Sequence, residues 1–155
     1  MEKFIIVVHG GAGRIRPEFK NRALRGVKRA AKTGYDILSK GGTALDAVEE
    51  AVKVMEDDPT FNAGIGSTLT IDGRIEMDAS IMDGKTLNAG SVAMIRNIRH
   101  PVTLARIIME KTDHVFVAGN FAEKLAETFN LERCNPITEN RIKIWKEYKT
   151  MLIRG

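Results

Sequence analysis

A single cysteine, Cys134, excludes an internal disulfide and any thiolate metal cluster, and it reads as a partly buried bystander. No run approaches the roughly 20 uninterrupted apolar residues that a membrane span needs. The opening Met1-Glu2-Lys3-Phe4 passes straight into a short apolar strand, without the longer apolar region and small-residue cleavage site of a secretory leader. Cytoplasm is the expected compartment. The net charge of +4 invites a nucleic-acid reading, but the basic residues are not gathered into one patch. Its sources are spread out, with Arg14, Arg16, Lys20, Arg22, Arg25, Lys28 and Arg29 early and Arg141, Lys143, Lys146 and Lys149 late. Such spacing is the solvated face of helices, and neither nucleic acid nor membrane is an expected partner. His9, His100 and His114 match no zinc spacing, and no G-x-S-x-G nucleophile elbow occurs. Without repeats or low-complexity segments, the 155 residues suit one domain with a sizeable core.

What is present falls into alternating elements. Residues 3–9 (KFIIVVH) form a continuous, largely β-branched run, which predicts a strand buried on both faces. The run stops at Gly10-Gly11-Ala12-Gly13, where the backbone can take conformations closed to other residues. After Pro17 a helical stripe of Val27, Ala30, Ala31, Gly34 and Leu38 leads to a stop at Gly41-Gly42. Thr43 and Asp46 stand at capping-box spacing, and Leu45, Val48, Val52 and Met55 mark the expected buried side of a second helix. Asp57-Asp58-Pro59 breaks it, and residues 61–67 read as an ordered loop. Runs at 67–71, 74–82 and 88–96 are strand-like, with Asp72-Gly73 and Asp83-Gly84 as turns, which predicts an antiparallel meander. A helix over 101–111 begins at its permitted proline. Then come a strand at 114–118, a helix capped by Asn120 with Glu123 at capping-box spacing, and a basic helix or tail from 139. The sum is an α+β chain with a sheet of about five strands.

Two motifs tempt. The Gly10–Gly13 run after a strand suggests a dinucleotide fold, yet read as G-x-G-x-x-G from Gly11 the third glycine falls on Arg16. Ala79 to Thr86 lies one residue from a phosphate loop. Its strand, however, runs through the would-be loop, and no helix start follows Lys85-Thr86.

Three segments in order carry a specific resemblance: Val8-His9-Gly10-Gly11-Ala12-Gly13, then Asp58-Pro59-Thr60-Phe61-Asn62-Ala63-Gly64-Ile65-Gly66-Ser67, then Met77-Asp78-Ala79-Ser80-Ile81-Met82-Asp83-Gly84. Gly42-Thr43-Ala44-Leu45-Asp46-Ala47-Val48, Ala89-Gly90-Ser91-Val92-Ala93 and His100-Pro101-Val102 extend it across residues 1–135. Together they resemble the α-subunit of plant-type L-asparaginases/isoaspartyl peptidases, which are threonine-type N-terminal-nucleophile hydrolases. The resemblance implies half of a four-layer αββα sandwich, with residues 1–138 as core and 139–155 as a basic helix or tail leading to a self-cleavage site. It implies a β-subunit cut from the same precursor, a dimer of αβ pairs, and hydrolysis of asparagine or isoaspartyl dipeptides. The nucleophile would be the β-subunit's leading threonine, with its own α-amine as base.

Within this chain the resemblance assigns a supporting role to Asn62, and to Gly10 and Gly11 a close approach of main chain to the threonine. It implies a structural sodium ion on the carbonyls of Met55, Glu56, Asp58, Phe61, Ala63 and Ile65, and no organic cofactor. Gly155 would be the residue before the cut, if the end is not a truncation. On its own the chain is not expected to turn over substrate. A non-catalytic fragment that assembles with a β-subunit, and a nucleotide-dependent regulator using Gly84-Lys85-Thr86, remain as other readings.

Overall fold

The computed structural model describes residues 4–13 and 16–154. Gly155, and with it the suggested cleavage point, lies outside the described residues. After a 3-10 turn at Pro17–Phe19 come α1 (Lys20–Ser39) and α2 (Ala44–Glu56), then strands β1 (Met77–Met82) and β2 (Ala89–Ile95). These are followed by α3 (Pro101–Lys111), β3 (Phe116–Ala118), α4 (Gly119–Thr128) and α5 (Glu139–Arg154). The three strands form one sheet in the order β1-β2-β3. β1 and β2 are antiparallel, while β3 returns after α3 to lie parallel to β2. The architecture is mixed α/β. No described helix is long and apolar enough to cross a membrane.

The helix boundaries follow local chemistry. α1 ends where Gly41 takes φ +84°, letting the Gly41 and Gly42 amides turn back to the carbonyls of Leu38 and Ile37. α2 opens on the predicted capping box: the Asp46 amide donates to Thr43 Oγ1 at 3.1 Å, and the Thr43 amide donates to Asp46 Oδ2 at 3.1 Å. α3 starts with Pro101 in its first turn, as expected.

Small residues set the spacing between layers. The buried stripe of α1 is Ala23, Gly26, Ala30 and Gly34. A methyl group on Gly34 would overlap Ile6 and stand 2.8 Å from the Ala47 carbonyl oxygen, so glycine here lets α1 lie against α2 and the first segment at once. The core lies between the sheet and α3 and α4, with Ile81, Val92, Ile95, Leu104, Ile108 and Val117 among its members. Gly90 brings β2 so close to α3 that an added Cβ would overlap the Ala105 carbonyl and lie 2.6 Å from the Met109 amide nitrogen.

Several sequence expectations are corrected. Residues 4–10 join no sheet among the described residues, and burial alternates along them. Ile5 and Val7 are each 86% exposed, so only one face is covered where both were expected. Residues 67–71 are not a strand: Ser67 bonds back to the Gly64 carbonyl, and the Thr70 amide closes a turn onto the Arg74 carbonyl at 2.7 Å. Among the described residues the sheet therefore has three strands rather than about five. Of the expected meander the antiparallel pair β1–β2 is present, and its first strand is missing. Asn120 does not cap α4, whose cap position is Ala118 without a side-chain bond. On α2, Val48 is 41% exposed while Glu49 is buried beneath the α3 side chains Thr103 and Arg106, which bond it at 2.6 and 2.8 Å.

Candidate functional site

The loop after α2 is held by backbone hydrogen bonds, within itself, to the end of α2 and to Pro136. The Phe61 amide donates to the Asp58 carbonyl at 3.0 Å, the Ile65 amide to the Glu56 carbonyl at 2.7 Å and the Gly66 amide to the Pro136 carbonyl at 2.8 Å. Asp58 anchors the loop's start, accepting from the Thr60 amide at 3.0 Å and pairing with Arg29 at 2.6 Å. Burial raises its carboxyl, but the bonds from Thr60 and Arg29 outweigh that and hold it below the ordinary value. Gly64 and Gly66 take φ of +56° and +92°. At Gly64 a side chain would overlap the Glu56 carbonyl, so the tight curl needs glycine for space as well as for conformation.

Phe61 joins this loop to the segment at 9–13. Its buried ring lies where a Cβ on Gly26 would be 2.5 Å away and one on Gly10 3.1 Å away. Gly10 therefore faces Phe61 and Val27 rather than open space, and its glycine is fixed by packing. Gly11 differs: it takes φ +103° with nothing within 4 Å of an added Cβ, so conformation is its requirement and the space beside it is free. The His9 Nδ1 accepts the Gly11 amide at 3.2 Å and pins this turn.

Asn62 is exposed, and its Oδ1 accepts the Thr68 amide at 2.6 Å. That bond orients the side chain and leaves the amide nitrogen as the group that can reach outward. Gly10, Gly11, Asn62, Thr68 and Arg141 line one cleft of about 560 Å³, so the structure brings the sequence-derived glycines and asparagine together. The sequence did not single out Arg141. From α5 its guanidinium donates to the Gly66 carbonyl and to the Phe61 carbonyl at 3.4 Å, and Trp145 Nε1 donates to the Ile71 carbonyl at 3.3 Å. Within a run of basic residues nothing distinguishes the one that turns inward.

The carbonyls suggested for a cation belong to the end of α2 and the loop that follows it. Those of Met55, Glu56 and Asp58 accept the amides of Asp58, Ile65 and Phe61, and that of Phe61 accepts Arg141. Those of Ala63 and Ile65 accept no hydrogen bond among the described residues. Neutral backbone oxygens are the ligand type a hard monovalent cation takes, and four of these six already accept N–H donors; no group of three or more His, Cys, Asp or Glu among the described residues could hold a metal through side chains. Behind the loop, the Glu56 carboxyl is 3% exposed and burial pushes it up to about 8. The phosphate-loop motif has no such geometry. It sits on the β1–β2 connection, where the Asp83 carboxylate takes the amides of Lys85 and Thr86.

A mixed α/β chain whose glycine turn and asparagine-bearing loop share a cleft is the class that fold and site define. Over residues 2–152 the sequence matches the asparaginase family, and the chain belongs to it. It is 55% identical over 151 residues to the plant-type L-asparaginase of Pyrococcus horikoshii, covering 97% of this chain and 49% of that protein. It is 54% identical over 149 residues to the plant-type L-asparaginase of Thermococcus kodakarensis, covering 96% and 48%. With the isoaspartyl peptidase/L-asparaginase of Mus musculus the identity is 56% over 128 residues, covering 82% and 39%. The chain thus spans about half the length of the archaeal relatives.

Proposed function

We propose that this chain is the α-subunit of an autoprocessed, threonine-nucleophile amidohydrolase that converts L-asparagine to L-aspartate and ammonia, cleaves isoaspartyl dipeptides, or does both. The observation that carries this reading is the shared cleft: the Gly10-Gly11 turn and Asn62, far apart in sequence, meet in a chain of the asparaginase family. The remainder of the catalytic unit is a β-subunit from the same precursor, seated as one half of an αββα sandwich and paired into a dimer of αβ units.

In this mechanism the β-subunit's leading threonine adds its hydroxyl oxygen to the side-chain carbonyl of the substrate. Its α-amine takes the proton, since such amines titrate near 8 and a useful fraction is neutral at working pH. The protonated α-amine returns its proton to the amide nitrogen, which leaves as ammonia or as the dipeptide's second amino acid, and water then hydrolyses the ester to release aspartate and restore the threonine. This chain contributes the surroundings. Asn62, held through its Oδ1 by Thr68, turns its amide nitrogen to the threonine and substrate. The open space beside Gly11 admits the threonine's main chain. A sodium ion bound by the carbonyls of Met55, Glu56, Asp58, Phe61, Ala63 and Ile65 would stiffen the loop that carries Asn62.

Expression of the full precursor tests this. The expected outcome is two polypeptides that purify together and release aspartate and ammonia from asparagine, with Asn62→Ala lowering kcat by about 10-fold or more. A folded full-length protein that releases aspartate from neither asparagine nor an isoaspartyl dipeptide refutes the enzyme reading. It would leave the second one, a non-catalytic assembly partner. That reading is favoured by the exposed apolar face of Ile5 and Val7, which suits a covering polypeptide.

A further inference from the structure

Glu56 stands at a three-way junction that the cleft residues do not account for. It is the last residue of α2, and its side chain is almost fully buried. Its Oε1 accepts the Val102 amide at 3.0 Å, inside the first turn of α3. That donor needs an external partner. Pro101 has no N–H to give, and the His100 side chain at the cap position turns to Asp57 at 3.1 Å rather than to the helix, so the carboxyl of another helix performs the capping. A helix N-terminus, with its aligned amides, is also where an acceptor of this kind is best placed.

The same residue holds the site loop through its main chain. Its carbonyl takes the Ile65 amide at 2.7 Å, and Gly64 lies so close that a Cβ there would be 2.7 Å from the Glu56 Cβ. Asn62 lies two residues before Gly64 in the same loop. A second cavity, of about 290 Å³, opens behind the loop and is lined by Glu56, Asn62, Ser67, Glu76, Asp78 and Pro101. Residues 62–68 are therefore a thin wall: Asn62 and Thr68 border both the cleft and this rear cavity. The Glu56 Oε2 is buried with no hydrogen-bond partner. A buried oxygen left in that condition costs free energy, so other contacts must impose the position of its carboxyl. Here Oε1 and the α3 amide impose it.

We infer that the Glu56 side chain is a positioning residue for Asn62: by fixing the end of α2 to the N-terminus of α3, it sets the backing against which the asparagine-bearing loop rests. This rests on the amidohydrolase reading above. It assigns Glu56 no contact with substrate, and it separates the side chain's role from any part its carbonyl plays toward a cation. Movement of a positioned group by about 1 Å can cost about 100-fold in rate. Losing the tie is therefore expected to lower kcat while leaving substrate binding nearly intact.

The test uses the full-length protein with kcat and KM referred to folded, processed enzyme. Glu56→Ala is expected to lose about 10- to 100-fold in kcat with KM changed less than about threefold. Glu56→Gln keeps an oxygen for the Val102 amide and is expected to recover to within about threefold of the parent. In an Asn62→Ala background, Glu56→Ala is expected to add little, because residues acting through one another do not add. Wild-type kcat in Glu56→Ala overturns the inference, as does a loss that multiplies fully with that of Asn62→Ala. Should Glu56→Ala not fold, Glu56→Asp, one methylene short of Val102, supplies the comparison, and wild-type kcat there overturns it equally. An inactive parent enzyme would instead sink the amidohydrolase reading, and this inference with it.

Discussion

Alanine substitution at three glycines separates backbone conformation from packing around the site. Gly84 is outside the left-handed region and has nothing within 4 Å of an added Cβ, so Gly84→Ala is expected to change stability by less than about 0.5 kcal/mol. Gly41 also has open space, but its φ is +84°, and the left-handed conformation alone costs an L-residue about 1–2 kcal/mol. Gly64 adds a clash to that strain. At φ +56° its new methyl would overlap the Glu56 carbonyl and stand 2.7 Å from the Glu56 Cβ, both on the rigid end of α2. Overpacking of this kind costs a further 1–3 kcal/mol or so, giving about 2–5 kcal/mol for Gly64→Ala. Equilibrium unfolding of the full-length protein in urea measures the series as shifts in midpoint at unchanged slope. If Gly64→Ala costs no more than Gly41→Ala, the close approach of the site loop to α2 is not a constraint, and the reasoning from that packing fails.

Two other perturbations follow from the same contacts. Arg106 ties α2 to α3 through Asp46 at 2.7 Å and Glu49 at 2.8 Å, and it pairs along its own helix with Glu110 at 2.8 Å. Arg106→Ala strands the buried Glu49 carboxylate. Discounting the partly exposed partners, the expected loss is about 2–3 kcal/mol by urea unfolding, and one below about 1 kcal/mol would show that solvent already screens the network. At the start of α2, Thr43→Ala removes the cap and is expected to cost about 1 kcal/mol. The bond from Thr43, and then that from Arg106, holds the Asp46 carboxyl below its ordinary 3.8. Its contribution is therefore present above that value and lost as pH falls through and below it. The stability difference between the parent and Asp46→Asn should then shrink as pH drops from about 6 to about 3, and a constant difference would contradict the capping geometry.

Features set by neighbours along the chain can be read from the residues alone. Thr43 and Asp46 are three residues apart and bond each other, so their box is legible as text; so are the stop at Gly41-Gly42 and the start of α3 at Pro101. The glycine turn and the Phe61–Ser67 loop were legible as well, because their order and residue types specify backbone shapes that few other sequences adopt. Which faces are covered depends instead on contacts between distant segments. An apolar period shows that residues 4–10 have a face to bury, but not whether one or two layers will bury it. On α2 the helical period marks Val48 for the interior and says nothing of Glu49, which is buried because Thr103 and Arg106 arrive from α3. Gly10 is fixed by Val27 and Phe61, Arg141 by the carbonyl of Gly66, and Glu56 by the amide of Val102. Each is a contact between segments distant in sequence, and periodicity and capping signals report only interactions within a few residues of each other.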